Sequence, residues 1–235
     1  MKRFVLSLSF LLMSLAAFCT KYQMVNLSSS TIFDYISSKK AATSDTVFSK
    51  VVSQTSEDDE SPEEMCNVGI KYYDEGKYHE AAEWFEKAAN QGYAEAQDMR
   101  GVCYYKGQGV VQTYEKAVYW LEKAANQGYA QAQNHLGVCY YKGQGVVQNY
   151  EKAAYWYEKA GNQGYAEAQY NLGVCYYKGK GVLQNYEKAA YWYEKAANQG
   201  IAQAQYNLGV CYENGHGVKK DLQKAKFWKD KSGLK

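Results

Sequence analysis

The chain has 235 residues, of which 46% are hydrophobic, and its formal net charge is +2. This apolar fraction is ample for an ordered core, while the small net charge gives no electrostatic reason to expect a nucleic-acid partner. The 25 tyrosines recur with an internal repeat, so the aromatic richness belongs to the repeat and does not indicate a base-stacking platform.

Residues 1–19 have the pattern of a secretory signal peptide. Two basic residues precede an apolar run over residues 4–18, which has the length of a signal-peptide core and is short for a membrane span. The alternative is a lipid anchor at Cys19, which the bulky Phe18 immediately before it disfavours. The pattern therefore predicts a cleaved signal and a secreted or periplasmic mature protein with no transmembrane span.

The segment 20–60 is rich in serine and threonine and ends in an acidic run at residues 57–60. It shows no sustained hydrophobic period, and such a composition buries too little apolar surface to offset the cost of ordering the chain. The segment is therefore predicted to be a flexible tether.

The remainder, residues 61–235, is a repeat written several times over. Four cysteines, Cys103, Cys139, Cys175 and Cys211, lie 36 residues apart and mark the same place in each copy. A fixed period of this size is the signature of a repeat array. With a first unit whose internal turn is shorter, the array has five units, near 62–92, 94–128, 130–164, 166–200 and 202–235.

Each unit has the pattern of two antiparallel helices. In the third unit, apolar residues spaced by three and four define a first helix, and two glycines, Gly143 and Gly145, then permit a tight turn. Asn149 suits the N-cap of the second helix, and Gly164 suits a left-handed end. The N-cap position is also filled by a capping residue in three other units, at Thr113, Asn185 and Asp221.

The array begins with a capping box, formed by Ser61, Pro62 and Glu64. A single hairpin cannot cover its own apolar face, so neighbouring units must stack. These observations predict an all-α fold, a right-handed α/α solenoid of five helix hairpins that follows a flexible N-terminal segment.

The repeat resembles the Sel-one-like family, a relative of the tetratricopeptide repeat. The motif is Ala-x-Ala-x-x-x-Leu-Gly-x-x-Tyr-x-x-Gly-x-Gly-Val followed by Lys-Ala-x-x-Trp-Tyr-x-Lys-Ala-Ala-x-x-Gly, and it occurs almost in full at 130–164 and 166–200. The second unit departs from it at Arg100, which replaces leucine, and at Leu121, which replaces tyrosine. The resemblance implies a solenoid whose first helices line a concave face and a scaffold that binds a protein or peptide.

The resemblance also implies an alternative function. Some secreted bacterial relatives are rich in cysteine, carry a disulfide within each repeat and have been described as weak β-lactamases. In this chain the second helix of every unit lacks cysteine. A β-lactam-binding or hydrolysing enzyme is therefore kept as the alternative to a binding scaffold.

The sequence indicates no catalytic residues, no metal site and no cofactor. The repeated cysteines lie on one helical stripe, one per unit, where they are expected to be buried and inert, and no Cys-x-x-Cys pair occurs. His79, His135 and His216 belong to different units, and the Gly-x-Gly turns recur between helices in every full unit, which is typical of structural turns.

The most informative differences between the copies fall on the first helix. Its fifth, sixth and twelfth positions combine tyrosine with changing polar residues, as a binding groove requires. The alternative is drift at tolerant exposed positions. Arg100 is expected to extend to the surface from a core position. The candidate partner-binding residues are Asp98, Met99, Tyr105, Asn134, His135, Tyr141, Tyr170, Asn171, Tyr177, Tyr206 and Asn207.

Overall fold

The computed structural model describes residues 60–234, which contain ten α-helices. The predicted signal peptide over residues 1–19, and the predicted tether over residues 20–60 apart from its last residue, lie outside the described part. The helices are α1 (Pro62–Asp74), α2 (Tyr78–Asn90), α3 (Ala94–Lys106), α4 (Tyr114–Asn126), α5 (Ala130–Lys142), α6 (Tyr150–Asn162), α7 (Ala166–Lys178), α8 (Tyr186–Asn198), α9 (Ala202–Asn214) and α10 (Leu222–Ser232).

The helices pack in chain order, each against the next. The odd-numbered helices are the first helices of the five hairpins and the even-numbered helices are the second. Packing within a hairpin alternates with packing between hairpins, and the buried hydrophobic residues form four successive clusters along the array. The predicted all-α solenoid of five hairpins is confirmed within the described residues.

The predicted helix caps are present, with one exception. Ser61 and Glu64 form both hydrogen bonds of a capping box at the start of α1. The side chains of Asn149, Asn185 and Asp221 accept hydrogen bonds from backbone amides in the first turns of α6, α8 and α10. Thr113 occupies the N-cap position of α4 as expected, but its side chain forms no capping bond, because its hydroxyl donates to the carbonyl oxygen of Val111 at 3.2 Å.

The core of each hairpin combines small residues with one large side chain. In the third unit, Ala132, Leu136 and Cys139 are fully buried. The ring of Tyr157 on α6 lies against the backbone at Gly137 on α5, where a Cβ atom would approach ring carbons of Tyr157 to 2.6 Å. A glycine at this point therefore lets the two helices of the hairpin pack around one buried ring.

Buried glutamines join each unit to its neighbours. Gln97, Gln133, Gln169 and Gln205 are 3–4% exposed, and each donates a hydrogen bond to the last-turn carbonyl of the preceding second helix at 3.0–3.2 Å. The side-chain oxygens of the first three accept from a glutamine at the end of their own unit's second helix at 2.7–2.8 Å. These amides satisfy polar groups inside an otherwise apolar interface.

Substitution Gln133→Ala is expected to lower the free energy of unfolding by about 1–3 kcal/mol, because it removes two hydrogen bonds worth about 0.5–1.5 kcal/mol each and leaves a small void. The two bonds join Gln133 to the Ala125 carbonyl and to the side-chain amide of Gln163. Urea denaturation followed by circular dichroism measures the change. The control is Gln131→Ala on the same helix, which is only partly buried; equal losses in both variants would contradict this role of Gln133.

Candidate functional site

The candidate residues lie on one face of the array, which we call the first-helix face because α1, α3, α5, α7 and α9 form it. Asp98 and Asn134 are buried beneath this face, and the other nine candidates are partly exposed. The structure brings several of them into direct contact across the boundaries between units.

Asp98 and His135 form the one such contact that joins two titratable side chains. The Asp98 carboxylate on α3 lies 2.8 Å from His135 Nδ1 on α5. Asp98 is 3% exposed, whereas about a third of the His135 side chain is exposed, at 35%. The pair therefore places a buried carboxylate directly behind a partly accessible imidazole.

The equivalent contact at the next boundary uses two amides. The side-chain amide of Asn171 on α7 donates to the side-chain oxygen of Asn134 on α5 at 2.9 Å. The fifth position of one unit thus pairs with the sixth position of the next, aspartate with histidine and asparagine with asparagine. Part of the variation between copies is therefore matched across boundaries, and these two boundaries differ in their pairing chemistry.

Three of the four tyrosines at the twelfth position join a first helix to the turn of the following unit. The Tyr73 and Tyr105 hydroxyls donate to Gln108 and Gln144 at 2.5 Å. Tyr177 lies 3.0 Å from His216 Nδ1, while Tyr141 packs edge-on against Tyr150 with ring centroids 5.0 Å apart. The rings of all four tyrosines remain partly exposed on the first-helix face, so they present aromatic surface, and three of them also tie neighbouring units together.

The remaining candidates are less closely tied to one another. Met99 packs against the core at the first boundary. Tyr170 lies beside the buried Tyr193, with ring centroids 6.1 Å apart. Lys229 lies 5.7 Å from the ring of Tyr206 in the last unit, and Asn207 lines a cavity described next.

Two cavities open on the first-helix face at equivalent places two units apart. The α3/α5 cavity has a volume of about 320 Å³ and the α7/α9 cavity about 300 Å³. The α3/α5 cavity is lined by Tyr73, Asp98, Met99, Val102, Tyr105, Lys106, Leu121, His135 and Val138. The α7/α9 cavity is lined by Tyr170, Val174, Tyr177, Lys178, Tyr193, Asn207 and Val210.

The valines, the lysines and Leu121 were not among the residues predicted from the sequence. The same valine and lysine recur in the second, third and fourth units and so carry no signal of variation between them. Leu121 does carry one, since it stands where the next two units have Tyr157 and Tyr193. No cavity was predicted from this departure from the repeat, although it is the sequence signal that could have located one.

The electrostatic balance of the α3/α5 cavity favours protonation of His135. Burial opposes the charged imidazole, but the hydrogen bond and the negative charge of Asp98 outweigh it, so the pKa of His135 is raised above its usual value. Lys106 acts against this rise and Glu167 adds to it.

The stability contributed by this pair is expected to fall as the pH rises. The unfolded chain has an ordinary histidine pKa near about 6.5, and the folded pKa of His135 is higher. The contribution is therefore complete below about pH 6.5 and is lost as the pH rises through the folded pKa. Urea denaturation at pH 5.5, 7 and 8.5 should show a larger loss in the wild type than in the D98N/H135N double variant, which reproduces the next boundary; parallel pH profiles would contradict the assignment.

The five cysteines of the described residues are buried and unbridged. Burial raises the pKa of Cys66, Cys139 and Cys175 to about 12 and that of Cys103 and Cys211 to about 11. A thiol with such a pKa is almost wholly protonated at neutral pH, when it is a poor nucleophile. These cysteines therefore act as small core residues. Within residues 60–234, no group of three or more His, Cys, Asp or Glu side chains is arranged to hold a metal ion.

Arg100 does not extend to the surface as expected. It is 5% exposed, and its guanidinium donates to Glu86 at 2.8 Å, to the Tyr104 hydroxyl at 3.1 Å and to the Ala82 carbonyl at 3.2 Å. The guanidinium also lies over the Tyr104 ring, 4.6 Å from its centroid. The expectation was wrong because Glu86 and Tyr104 satisfy the charge within the interface between α2 and α3.

The described helices include none that is both long and apolar enough to cross a membrane. A search of curated proteins by sequence finds no match.

Solved structures with the same fold include a Sel1 repeat protein from Oxalobacter formigenes, which is 34% identical over 74% of this chain and 70% of its own, with a TM-score of 0.68. A protective antigen of uropathogenic Escherichia coli with an SLR fold is 35% identical with a TM-score of 0.71; the match covers 78% of this chain and only 40% of the antigen.

The Sel1 repeat family matches the chain at residues 65–93, 94–129, 130–165, 166–201 and 202–231. These five segments correspond to the five hairpins, and repeats of this family generally mediate interactions between proteins. The chain therefore belongs to the Sel1 repeat family.

Proposed function

We propose that this protein is a scaffold, acting outside the cytoplasm, that binds a partner protein through the first-helix face. The observation that carries the proposal is the pair of equivalent cavities on this face, the α3/α5 and α7/α9 cavities, which share one frame and differ in their lining. A constant frame with changed side chains is what recognition of one particular sequence requires.

The opposite, second-helix surface supports the choice of face by its uniformity. Tyr119, Tyr155 and Tyr191 are each about half exposed and each packs edge-on against the following tryptophan. A lysine lies over the tyrosine ring at 4.6–4.9 Å in all three units. A surface whose side chains are the same in every unit cannot distinguish one partner sequence from another. The first-helix face, whose side chains differ between units, can.

The extracytoplasmic location rests on the sequence of residues 1–19 alone, with their basic start and apolar run. A mass measurement of the mature N-terminus tests it. Loss of the first nineteen residues is the expected result. A lipid-modified N-terminal cysteine would place the protein on a membrane surface instead.

Site-specific photo-crosslinking in the native host tests the binding face. The photoreactive phenylalanine replaces Tyr141 or Tyr170 on the first-helix face, and Glu158 on α6 is the control position because it is exposed on the second-helix side. We expect one discrete adduct from both tyrosine positions and none from Glu158. The adduct is identified by mass spectrometry, and the recombinant partner must then bind the purified protein with defined stoichiometry.

Two results would count against the proposal. Equal adducts from all three positions, or adducts from none, would contradict binding at the first-helix face. Turnover of a chromogenic β-lactam by the purified protein, abolished by a substitution on this face, would favour the enzymatic alternative.

A further inference from the structure

The α3/α5 cavity has apolar walls and a floor unlike that of its counterpart. Met99, Val102 and Val138 form the walls, and Leu121 stands at the floor where the α7/α9 cavity has Tyr193. A phenol ring is thus replaced by a smaller aliphatic side chain. The volume of about 320 Å³ is at the lower end of the range of ligand pockets, about 300–1,000 Å³.

A buried acceptor lies within these apolar walls. Asp98 lines the cavity although it is only 3% exposed. Among the described residues, the Asp98 carboxylate has one hydrogen-bond partner, His135. The contact involves one carboxylate oxygen, Oδ1. A carboxylate accepts several hydrogen bonds, so Asp98 retains capacity for a donor that enters the cavity.

The charges that face the cavity are already balanced. Asp98 is paired with His135, Lys106 lines the same cavity, and Glu167 lies close enough to influence His135. A cationic side chain would meet the positive charges of His135 and Lys106, and an anionic one would meet the buried carboxylate. The complementary ligand is therefore neutral, apolar over most of its surface, and carries one hydrogen-bond donor.

An aromatic side chain with an N–H or O–H group has this chemistry. Tryptophan and tyrosine bury a large apolar ring and still require a hydrogen-bond partner for their polar atom, and both are enriched among the anchors of protein interfaces. We propose that the α3/α5 cavity receives a tryptophan or tyrosine side chain of the partner protein. This inference rests on the proposed function and specifies what the first-helix face selects.

Small probes test the selection without a known partner. N-acetyl-tryptophanamide and N-acetyl-phenylalaninamide are titrated into the purified protein, and the methyl resonances of Val102, Leu121 and Val138 are followed by NMR. The tryptophan amide is expected to shift these methyls saturably. The phenylalanine amide, which lacks the side-chain donor, is expected to bind about tenfold more weakly, as the loss of a hydrogen bond to a charged group predicts.

Two variants and a control separate the contributions of the floor and the acceptor. L121Y places at the floor the residue that the next two units carry at this position, and it is expected to abolish the shifts of the two valines. D98N/H135N keeps a paired boundary without the carboxylate and should make the two amides bind within about twofold of each other. L183Y, at a side chain that is 91% exposed in a turn, should leave both titrations unchanged.

Equal binding of the two amides to the wild type, or undiminished binding to L121Y, would overturn the inference. Such a failure leaves the crosslinking result untouched, because the first-helix face could bind a partner by other contacts. Failure of the crosslinking overturns the proposed function, and with it a partner protein as the source of the side chain.

Discussion

Substitution of Gly181 by alanine is expected to lower the free energy of unfolding by about 2–6 kcal/mol. Gly181 is the second glycine of the turn between α7 and α8, and its φ is +72°. An alanine there bears backbone strain of about 1–3 kcal/mol. Its Cβ would also overlap the carbonyl group of Tyr150 at the start of α6, and forcing an extra methyl into a filled site costs about another 1–3 kcal/mol.

The control for this prediction is Gly200→Ala in the same unit. Gly200 also has a positive φ, +94°, but an added Cβ there would meet nothing within 4 Å. This variant should lose only the strain of a left-handed residue, about 1–2 kcal/mol. Both changes are measured by urea denaturation of the purified proteins. Equal losses would mean that the turn shifts away from α6 and that its close approach does not hold the units together.

The same approach recurs at each full turn and explains why the Gly-x-Gly pattern repeats. Cβ atoms at Gly109, Gly145 and Gly217 would likewise overlap the first residue of the preceding second helix. The pattern alone showed that a turn must occur there. It could not show that the second glycine is required by packing against the previous unit, because that contact joins residues about thirty positions apart.

The fold was predictable because the repeat units of the chain can be compared with one another. Near-identical copies show which positions the frame requires, so the hairpins, the capping box at Ser61 and the caps at Asn149, Asn185 and Asp221 could be assigned from residue type and position. Thr113 shows the limit of this reasoning. The position was correctly identified as an N-cap, but the hydroxyl donates to the Val111 carbonyl oxygen at 3.2 Å instead of accepting from a backbone amide of α4. Residue type alone does not determine which of these bonds forms.

The candidate site was less predictable because its contacts lie between units. Asp98 and His135 are 37 residues apart, as are Asn134 and Asn171. Variation between copies identified these positions but could not show that they vary in matched pairs. Gln133 could not be identified in this way, because glutamine recurs at its position in the last four units, although its side chain donates a hydrogen bond across a boundary.

The candidate residues fall into two groups by their exposure. Asp98 and Asn134 are buried and form hydrogen bonds with the neighbouring unit. Tyr141 and Tyr170 remain partly exposed and are accessible to a partner. In the proposed function, recognition on the first-helix face depends on how the buried pairs set the polarity of the cavities between the exposed rings. At the α3/α5 cavity the buried pair is Asp98 with His135, which places titratable groups in the cavity lining.

The other large effect is expected at Arg100, where substitution by leucine should raise the free energy of unfolding by about 1–3 kcal/mol. Only the Arg100 side of its ion pair with Glu86 is buried, at 5% exposed. Replacement of a buried charge by a well-packed apolar residue is often neutral or stabilising by about 1–4 kcal/mol, because the desolvation cost of the charge disappears. Leucine holds the equivalent position in the later units, as at Leu172, which is 1% exposed. The residues around it also correspond, since Ala154 packs in the same core cluster as Leu172 where the first boundary has Ala82.

The matched variant is Arg100→Ala, which should lower the free energy of unfolding by about 2–4 kcal/mol. It removes the charge and also leaves a void that the surrounding helices fill only in part. Glu86 keeps access to water, with half of its side chain exposed, so the loss stays below that of a fully buried broken pair. Both variants are measured by urea denaturation at neutral pH and low salt. Destabilisation by both variants would show that the Arg100–Glu86 pair holds α2 against α3 more strongly than apolar packing does. Stabilisation by leucine alone would show that the fold of the second unit does not require the charge of Arg100.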